Sequence, residues 1–362
     1  MKRAFMKGND AVVCGALAAG CRAFFGYPIT PASEIAHDAM TSIPNAGGIA
    51  IQAESEVSAI NMLYGAGACG APAMTATSGP GFSLMQEGMS YMAAARIPGV
   101  IVDVMRTGPG LGNIGPEQGD YIMAVHGGGH GDYDVPVFAP ANVSEMFEMT
   151  RDAFRVAFAY RSPVVVLADA FIGQMMEIID LPDALCPLDQ TPAAIYPFED
   201  AADGREQTCG HVVSSLELNA AIMAQKNDAR FETYQKMQAI ADAEYFPHDG
   251  ALDILVVAYG ICASVARAAV SDARANGVCV GFFRPKTLFP FDENAFSAIA
   301  CRAQCILVVE CSRGQFARDI ERFAGRSKVC LLHRDGGIIT TRGEVQNKIT
   351  SLISESHTCP QE

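Results

Sequence analysis

The chain has 362 residues, a net charge of −14 and a composition that is half hydrophobic. That length allows roughly two domains, and the abundance of Ala, Gly and Val with modest charge suits an α/β enzyme with large buried sheets. The acidic balance argues against nucleic acid as a partner, because phosphate binding needs clustered Lys and Arg. No stretch is long enough to cross a membrane.

The first apolar run, Ala11 to Gly20, follows Lys2 and Arg3 and ends in Leu17-Ala18-Ala19-Gly20-Cys21, superficially like a lipoprotein signal. Lys7, Asn9 and Asp10 stand directly before it, so the pattern predicts a helix capped by Asn9 or Asp10 and running to Arg22, in a cytoplasmic protein. Next, Phe24-Phe25-Gly26 reads as a strand, and Tyr27-Pro28-Ile29-Thr30-Pro31 as a turn that places Thr30 at the N-cap and Pro31 at the first position of a helix. A helix N-terminus with a free hydroxyl is a place for an anion.

The chain is organised around residues 51–82. Glu56 opens a helix crowded with small residues (Ser58, Ala59, Gly65, Ala66, Gly67, Ala68), although each Gly costs roughly 1 kcal/mol relative to Ala. A short apolar strand, Ala73 to Thr77, then ends in Ser78-Gly79-Pro80-Gly81. Glu54 and Glu56 could simply complement the positive end of the helix dipole. The order Glu-Ser-Glu, then Thr-Ser-Gly-Pro-Gly, resembles the pyrimidine-binding domain of thiamine-diphosphate enzymes. With the preceding Gly-Tyr-Pro-Ile-Thr-Pro it resembles the alpha-type subunit of the 2-oxoacid:ferredoxin oxidoreductases.

That resemblance implies roles. Glu56 would hydrogen-bond the far ring nitrogen of the cofactor and drive the imino tautomer that deprotonates the thiazolium. Apolar neighbours such as Val57 and Ile60 would favour its protonated form. Ser78, Gly79 and Pro80 would line the cofactor, and Thr30, beside Tyr27, would contact the carboxylate of the 2-oxoacid.

Pro98 to Met105 is the next buried strand and ends in Arg106. An Arg at the carboxyl end of a strand in an open sheet points into the ligand crevice, and its planar fork suits a carboxylate. The family has an Arg at the corresponding strand end that reads the substrate carboxylate; a structural ion pair at a subunit interface is the alternative. The run Gly108-Pro109-Gly110-Leu111-Gly112-Asn113-Ile114-Gly115 contains a formal G-x-G-x-x-G, yet Pro116 follows at once where a Rossmann helix should continue. It reads instead as a backbone-close loop over the cofactor or a partner chain. His130, in Gly127-Gly128-Gly129-His130-Gly131-Asp132-Tyr133, could assist proton transfer at the substrate or be an incidental loop histidine.

The helix Val143 to Tyr160 and the strand Pro163 to Asp169 complete a doubly wound parallel-sheet domain, residues 1–182. The loops at 107–113 and 127–133, with Gly173-Gln174-Met175-Met176-Glu177, resemble the subset of the family acting on branched-chain 2-oxoacids, although Thr107 stands where that subset usually has Gly. Residues 183–250 read as a linker, rich in Pro, Asp and Ala to about Arg205, followed by a charged helical strap from Ser214 to Tyr245. From 251 a second unit alternates strand Ile254–Tyr259, helix Ala263–Asn276 and strand Val278–Phe283, implying parallel strands with right-handed crossovers. Arg284-Pro285-Lys286-Thr287-Leu288-Phe289-Pro290-Phe291 resembles a segment of transketolase-type C-terminal domains, and strand Cys305–Glu310 and a helix from Gly314 follow. Twelve cysteines include no C-x-x-C pair, so they read as reduced core residues, not as ligands of a metal or an iron–sulfur cluster.

Thiamine-diphosphate enzymes hold Mg2+ through a G-D-G motif, and here Gly119-Asp120 and Gly131-Asp132 lack the second Gly. The resemblance therefore implies half of an active site: thiamine diphosphate shared with a beta-type subunit that holds the Mg2+, [4Fe-4S] clusters on other subunits only, and ferredoxin-like iron–sulfur and gamma-type subunits as further partners. The implied reaction converts a 2-oxoacid, CoA and oxidised ferredoxin to acyl-CoA, CO2 and reduced ferredoxin, with 2-oxoisovalerate favoured. A 2-oxoglutarate:ferredoxin oxidoreductase, a non-oxidative thiamine-diphosphate enzyme and an idle scaffold subunit remain as alternatives.

Overall fold

The structure is a computed structural model and describes residues 2–182, 213–246 and 250–358. Seven strands build the first sheet: β2 (Ala23–Gly26), β3 (Ile49–Gln52), β4 (Ala73–Thr77), β5 (Gly99–Met105), β6 (Val137–Phe138), β7 (Pro163–Asp169) and β12 (Thr287–Phe289). Their order is β12-β6-β7-β5-β4-β2-β3, parallel throughout except for β12 at the edge. The central strands are buried on both faces, which explains their largely apolar sequences, with Asp103 of β5 as the exception in mid-strand. Period-2 alternation splits the core in two. Val100, Val102 and Val104 of β5 pack with Val12, Phe147 and Phe154 on the side of α1 (Gly8–Ala18) and α6 (Val143–Tyr160). Ile101 and Met105 pack with Ile60, Phe82 and Met89 on the side of α3 (Glu56–Ala68) and α4 (Pro80–Ala95). Asp103, between those last two β5 residues, stands on the α3 and α4 face.

Two expectations near the N-terminus change. Helix α1 is capped at Lys7, and it ends at Ala18, before Gly20 turns into positive φ; the Asn9 side chain is drawn inward, donating to Pro31 O and Glu34. Thr30 is not an N-cap, because α2 (Ser33–Asn45) starts later, after Ala32. Lys2–Lys7 forms β1 and pairs antiparallel with β8 (Met176–Leu181).

The second sheet has the order β14-β13-β10-β11-β9, made of β9 (Ala243–Tyr245), β10 (Leu252–Ala258), β11 (Val280–Pro285), β13 (Ala303–Glu310) and β14 (Val329–His333). β9 alone is antiparallel. The expected linker at 183–205 lies outside the described residues. The expected strap helix is shorter than its charge pattern suggested: α8 covers Ala220–Met237, and residues 243–245 are instead taken into the sheet as β9. The reason is tertiary. Glu244 on β9 and Glu145 on α6 both accept hydrogen bonds from Arg284 on β11, which is only 2% exposed.

The two sheets are locked together. β12, next to β11 in sequence, completes the edge of the first sheet, so Arg284-Pro285-Lys286-Thr287 crosses from one unit to the other. Gln118 is fully buried: its amide donates to Cys311 O, its side chain accepts from Cys311 N and donates to Tyr259 O, at 2.7–3.0 Å. Asp169, at the end of β7, accepts from Phe171 N and Ile172 N at the start of α7 (Ala170–Gln174) and from Ile261 N at the start of α9 (Gly260–Ala275). Burial pushes its carboxyl up to about 6 against these bonds. No helix among the described residues is long and apolar enough to cross a membrane.

Candidate functional site

The site gathers at the carboxyl ends of β2, β4 and β5, where an open parallel sheet forms its crevice. Ser55 caps α3, its Oγ accepting from Ser58 N at 3.2 Å. Glu54, on the outside, accepts from Ser58 Oγ at 2.7 Å, which suits its helix-start role. Glu56 turns the other way and is 5% exposed.

Each residue of the turn after β4 has a geometric reason. Gly79 takes φ +48°, which L side chains rarely adopt. Pro80 is the first residue of α4, where its missing N–H is no loss. A Cβ on Gly81 would stand 2.2 Å from Thr77 Oγ1 and 2.5 Å from Glu56 Oε1, so only Gly lets the Glu56 carboxyl lie across the start of α4. The Thr77 and Ser78 hydroxyls are buried and make no hydrogen bond.

Arg106, just past β5, lies along Gly79; a Cβ there would be 3.4 Å from Arg106 Cγ. Its Nη1 donates to Thr30 O at 2.8 Å and its Nη2 to Leu111 O at 3.0 Å. Arg106 thus ties the turn holding Thr30 to the tip of the glycine-rich loop. That loop is closed at its neck by Thr107 N donating to Gly115 O and by Asn113 N donating to Thr107 O, while Leu111 is 81% exposed.

Two openings flank Arg106. A cleft of about 820 Å³ is lined by Gly79, Pro80, Arg106, Glu117, Asp120 and Arg313, among others. A shallower one of about 520 Å³ lies on the Thr30 side, against Pro31, Ile114, Pro116, Phe171 and Met175. Burial raises the Glu117 carboxyl, opposed by the Gly108 N–H that donates to it at 2.9 Å.

The structure therefore brings Glu56, Ser78, Gly79 and Pro80 together at the start of α4, with Arg106 and Thr30 alongside; Gly79, Pro80 and Arg106 line the larger opening and Thr30 the smaller, while Glu56 and Ser78 lie behind them and line neither. It does not bring in the other two candidates. Tyr27 is exposed and lines neither opening. His130 is exposed on a loop packed against the middle of α4, where its carbonyl accepts from Ser90 Oγ and where Gly128 N donates to Gln86 Oε1 at 2.9 Å. Sequence inspection missed Asp103 and Asp120, an acid pair beneath Gly79. The available signal was a lone Asp inside the otherwise apolar run Val100–Met105.

Residues 14–244 match the family described as pyruvate flavodoxin/ferredoxin oxidoreductase, thiamine diphosphate-binding, and residues 252–345 match pyruvate:ferredoxin oxidoreductase core domain II. The chain belongs to the 2-oxoacid:ferredoxin oxidoreductase family. It is 46% identical to ketoisovalerate oxidoreductase subunit VorB of Methanothermobacter thermautotrophicus over 98% of this chain and 99% of that protein. It is 38% identical to 2-oxoglutarate synthase subunit KorA of Archaeoglobus fulgidus over 89% of this chain and 92% of that protein. The solved 2-oxoglutarate:ferredoxin oxidoreductase from Magnetococcus marinus superposes with a TM-score of 0.87 at 28% identity, covering 97% of this chain and 65% of that one. A split-gene transketolase with a TM-score of 0.59 and 12% identity shares the fold. As a member of the oxidoreductase family the chain carries its thiamine diphosphate-binding domain.

Proposed function

We propose that this chain is the alpha-type subunit of a complex that oxidatively decarboxylates a branched-chain 2-oxoacid, 2-oxoisovalerate foremost, to acyl-CoA and CO2 while reducing ferredoxin. The observation that carries the site is the Glu56 carboxyl, buried yet held at the open end of the sheet by the space over Gly81. Unbonded buried hydroxyls at Thr77 and Ser78, beside the Glu56 carboxyl that the missing Cβ of Gly81 lets in, fit a polar ring bound against that carboxyl. When bound, thiamine diphosphate supplies the electron sink for the carbon that loses CO2.

The chain's own groups divide the work. Glu56 holds a proton at the ring nitrogen, and Ser78, Gly79 and Pro80 form the floor under the ring. Arg106 and Thr30 take the substrate carboxylate, the Arg fork giving direction as well as charge. Tyr27 and His130 contact substrate only where a partner closes over them. A beta-type subunit holds the diphosphate end and its Mg2+; ferredoxin-like and gamma-type subunits complete the assembly, and [4Fe-4S] clusters on other subunits carry electrons to ferredoxin.

The opening beside Thr30 supports an apolar substrate side chain. Ile114, Pro116, Phe171 and Met175 line it beside Glu34 and Gln174; the nearby Lys7 is already paired with Glu34, so a second carboxylate meets an acid there and no unpaired counter-charge among the lining residues. Assay of the purified complex with CoA and a viologen acceptor tests this. Higher kcat/KM for 2-oxoisovalerate than for 2-oxoglutarate or pyruvate is expected. A preference for 2-oxoglutarate would overturn the substrate assignment, and decarboxylation without acceptor reduction would overturn the oxidative one.

A further inference from the structure

Asp103 lies in the middle of β5 with no exposed surface, and neither of its oxygens makes a hydrogen bond of good geometry. In the parallel ladder it is directly opposite Thr77 of β4 and Leu167 of β7. It shares with Thr77 the face on which Glu56 lies, and the Thr77 hydroxyl is also without a partner. The polar groups that face Asp103 are the Gly79 amide and the carboxyl of Asp120, which itself lines the 820 Å³ cleft and has one buried, unbonded oxygen. Asp120 in turn faces Arg106, with Glu117 nearby.

Two ionised carboxylates cannot sit face to face in such a place. Desolvation disfavours each charge and their repulsion disfavours the second one further. One proton between them removes the repulsion and creates a hydrogen bond. The single remaining negative charge is drawn by Arg106 against the nearby Glu117 carboxyl.

We propose that Asp103 and Asp120 hold one proton in common and act as positioning residues for the Glu56 site, fixing the Gly79 turn and Arg106; the positioning role rests on the function proposed above. Burial, then the neighbouring Asp120, holds Asp103 well above the usual carboxylate range. Burial lifts Asp120 to about 6, against the hydrogen bond from Asp103 and the charge of Arg106. Loss of the common proton would add a second negative charge on the sheet face that carries Thr77 and Glu56. It would loosen the Gly79 turn and, with it, the placement of Arg106. The fold thereby links carboxylate recognition at Arg106 to the Gly79 turn through a pair that touches neither substrate nor cofactor.

The test has two arms. Infrared spectroscopy of the full chain at neutral pH should show the C=O stretch of a protonated carboxyl that is lost in Asp103→Asn. Absence of a protonated-carboxyl band from both difference spectra, native minus Asp103→Asn and native minus Asp120→Asn, in which the Glu310 band cancels, would overturn the common proton. In the assembled complex, Asp103→Ala should raise the KM for the 2-oxoacid about tenfold, the loss of roughly one buried hydrogen bond. Asp103→Asn, which keeps a donor for Asp120 but cannot ionise, should restore most of it and should lack the rise in KM at alkaline pH that the common proton predicts for the native complex. Equal KM values in Asp103→Ala and native complexes, or the same alkaline rise in Asp103→Asn, would overturn the positioning role. The infrared arm needs no substrate, so an inert complex that still shows the band counts against the proposed reaction and not against the pair.

Discussion

Asp103 and Glu310 are buried acids on central strands of the two sheets, and they are treated differently. Glu310 ends β13 and points at the start of the helix Gln315–Ala324, accepting from Phe316 N at 2.8 Å and from Ser312 Oγ at 3.1 Å. Burial lifts its carboxyl to about 7 against those bonds. Asp103 has no such set, and the Thr77 and Ser78 hydroxyls beside it are unbonded as well. Buried polar groups are normally hydrogen-bonded. An acid closed by a helix N-terminus serves the fold. Asp103 is matched instead with Asp120, and the Thr77 and Ser78 hydroxyls left unbonded at the carboxyl end of the sheet, beside the Glu56 carboxyl, mark the place prepared for a ligand.

Several substitutions break or sharpen that contrast. The largest change in stability belongs to the structural side. Arg284→Ala leaves Glu145 and Glu244 without their shared partner and should destabilise the chain by about 3–5 kcal/mol, measured by denaturant unfolding. On the open side, Arg106→Ala should raise the KM for the 2-oxoacid up to about 100-fold, the equivalent of hydrogen bonds to a charged group, while the KM for CoA stays put. An unchanged KM for the 2-oxoacid removes Arg106 from the site.

Glu310 gives a signed dependence on pH. Its carboxyl titrates near 7 in the folded chain and near 4.3 unfolded, so between those values the folded chain binds more protons. Its favourable contribution is complete below about 4.3 and is lost as pH rises to about 7, with a slope of at most about 1.4 kcal/mol per pH unit. Glu310→Gln should flatten that slope in unfolding experiments across the window; an identical slope would contradict the assignment. The smallest effect is Ser55→Ala, which removes the α3 cap and should cost about 1 kcal/mol, with a modest loss of affinity for thiamine diphosphate as Glu56 loosens.

Local signals made much of this legible beforehand. The strand Ala73–Thr77, the helix Val143–Tyr160 and the strand Pro163–Asp169 fall where hydrophobic pattern and turn residues put them. The position of Glu56 at a helix start was equally readable, because Ser55 caps the helix and Glu56 stands in its first turn. What failed was non-local. Thr287–Phe289 joins the sheet of the other unit, and Ala243–Tyr245 leaves a helix-compatible charge pattern to pair with Phe283–Pro285. Both depend on partners far away in sequence. Thr30 looked like a helix cap from its Pro, yet the chain makes a further turn before Ser33. Asp103 gave only one anomalous letter in an apolar strand, and its meaning depended on Asp120, which comes near it only in the fold.

The central claim is that the Glu56 carboxyl works on the cofactor from this chain. Glu56→Gln keeps the shape and the helix start but cannot exchange a proton with a ring nitrogen. In the assembled complex its turnover with 2-oxoisovalerate, CoA and viologen should fall by several orders of magnitude while subunit assembly is unchanged. Turnover close to that of the native complex would contradict the account.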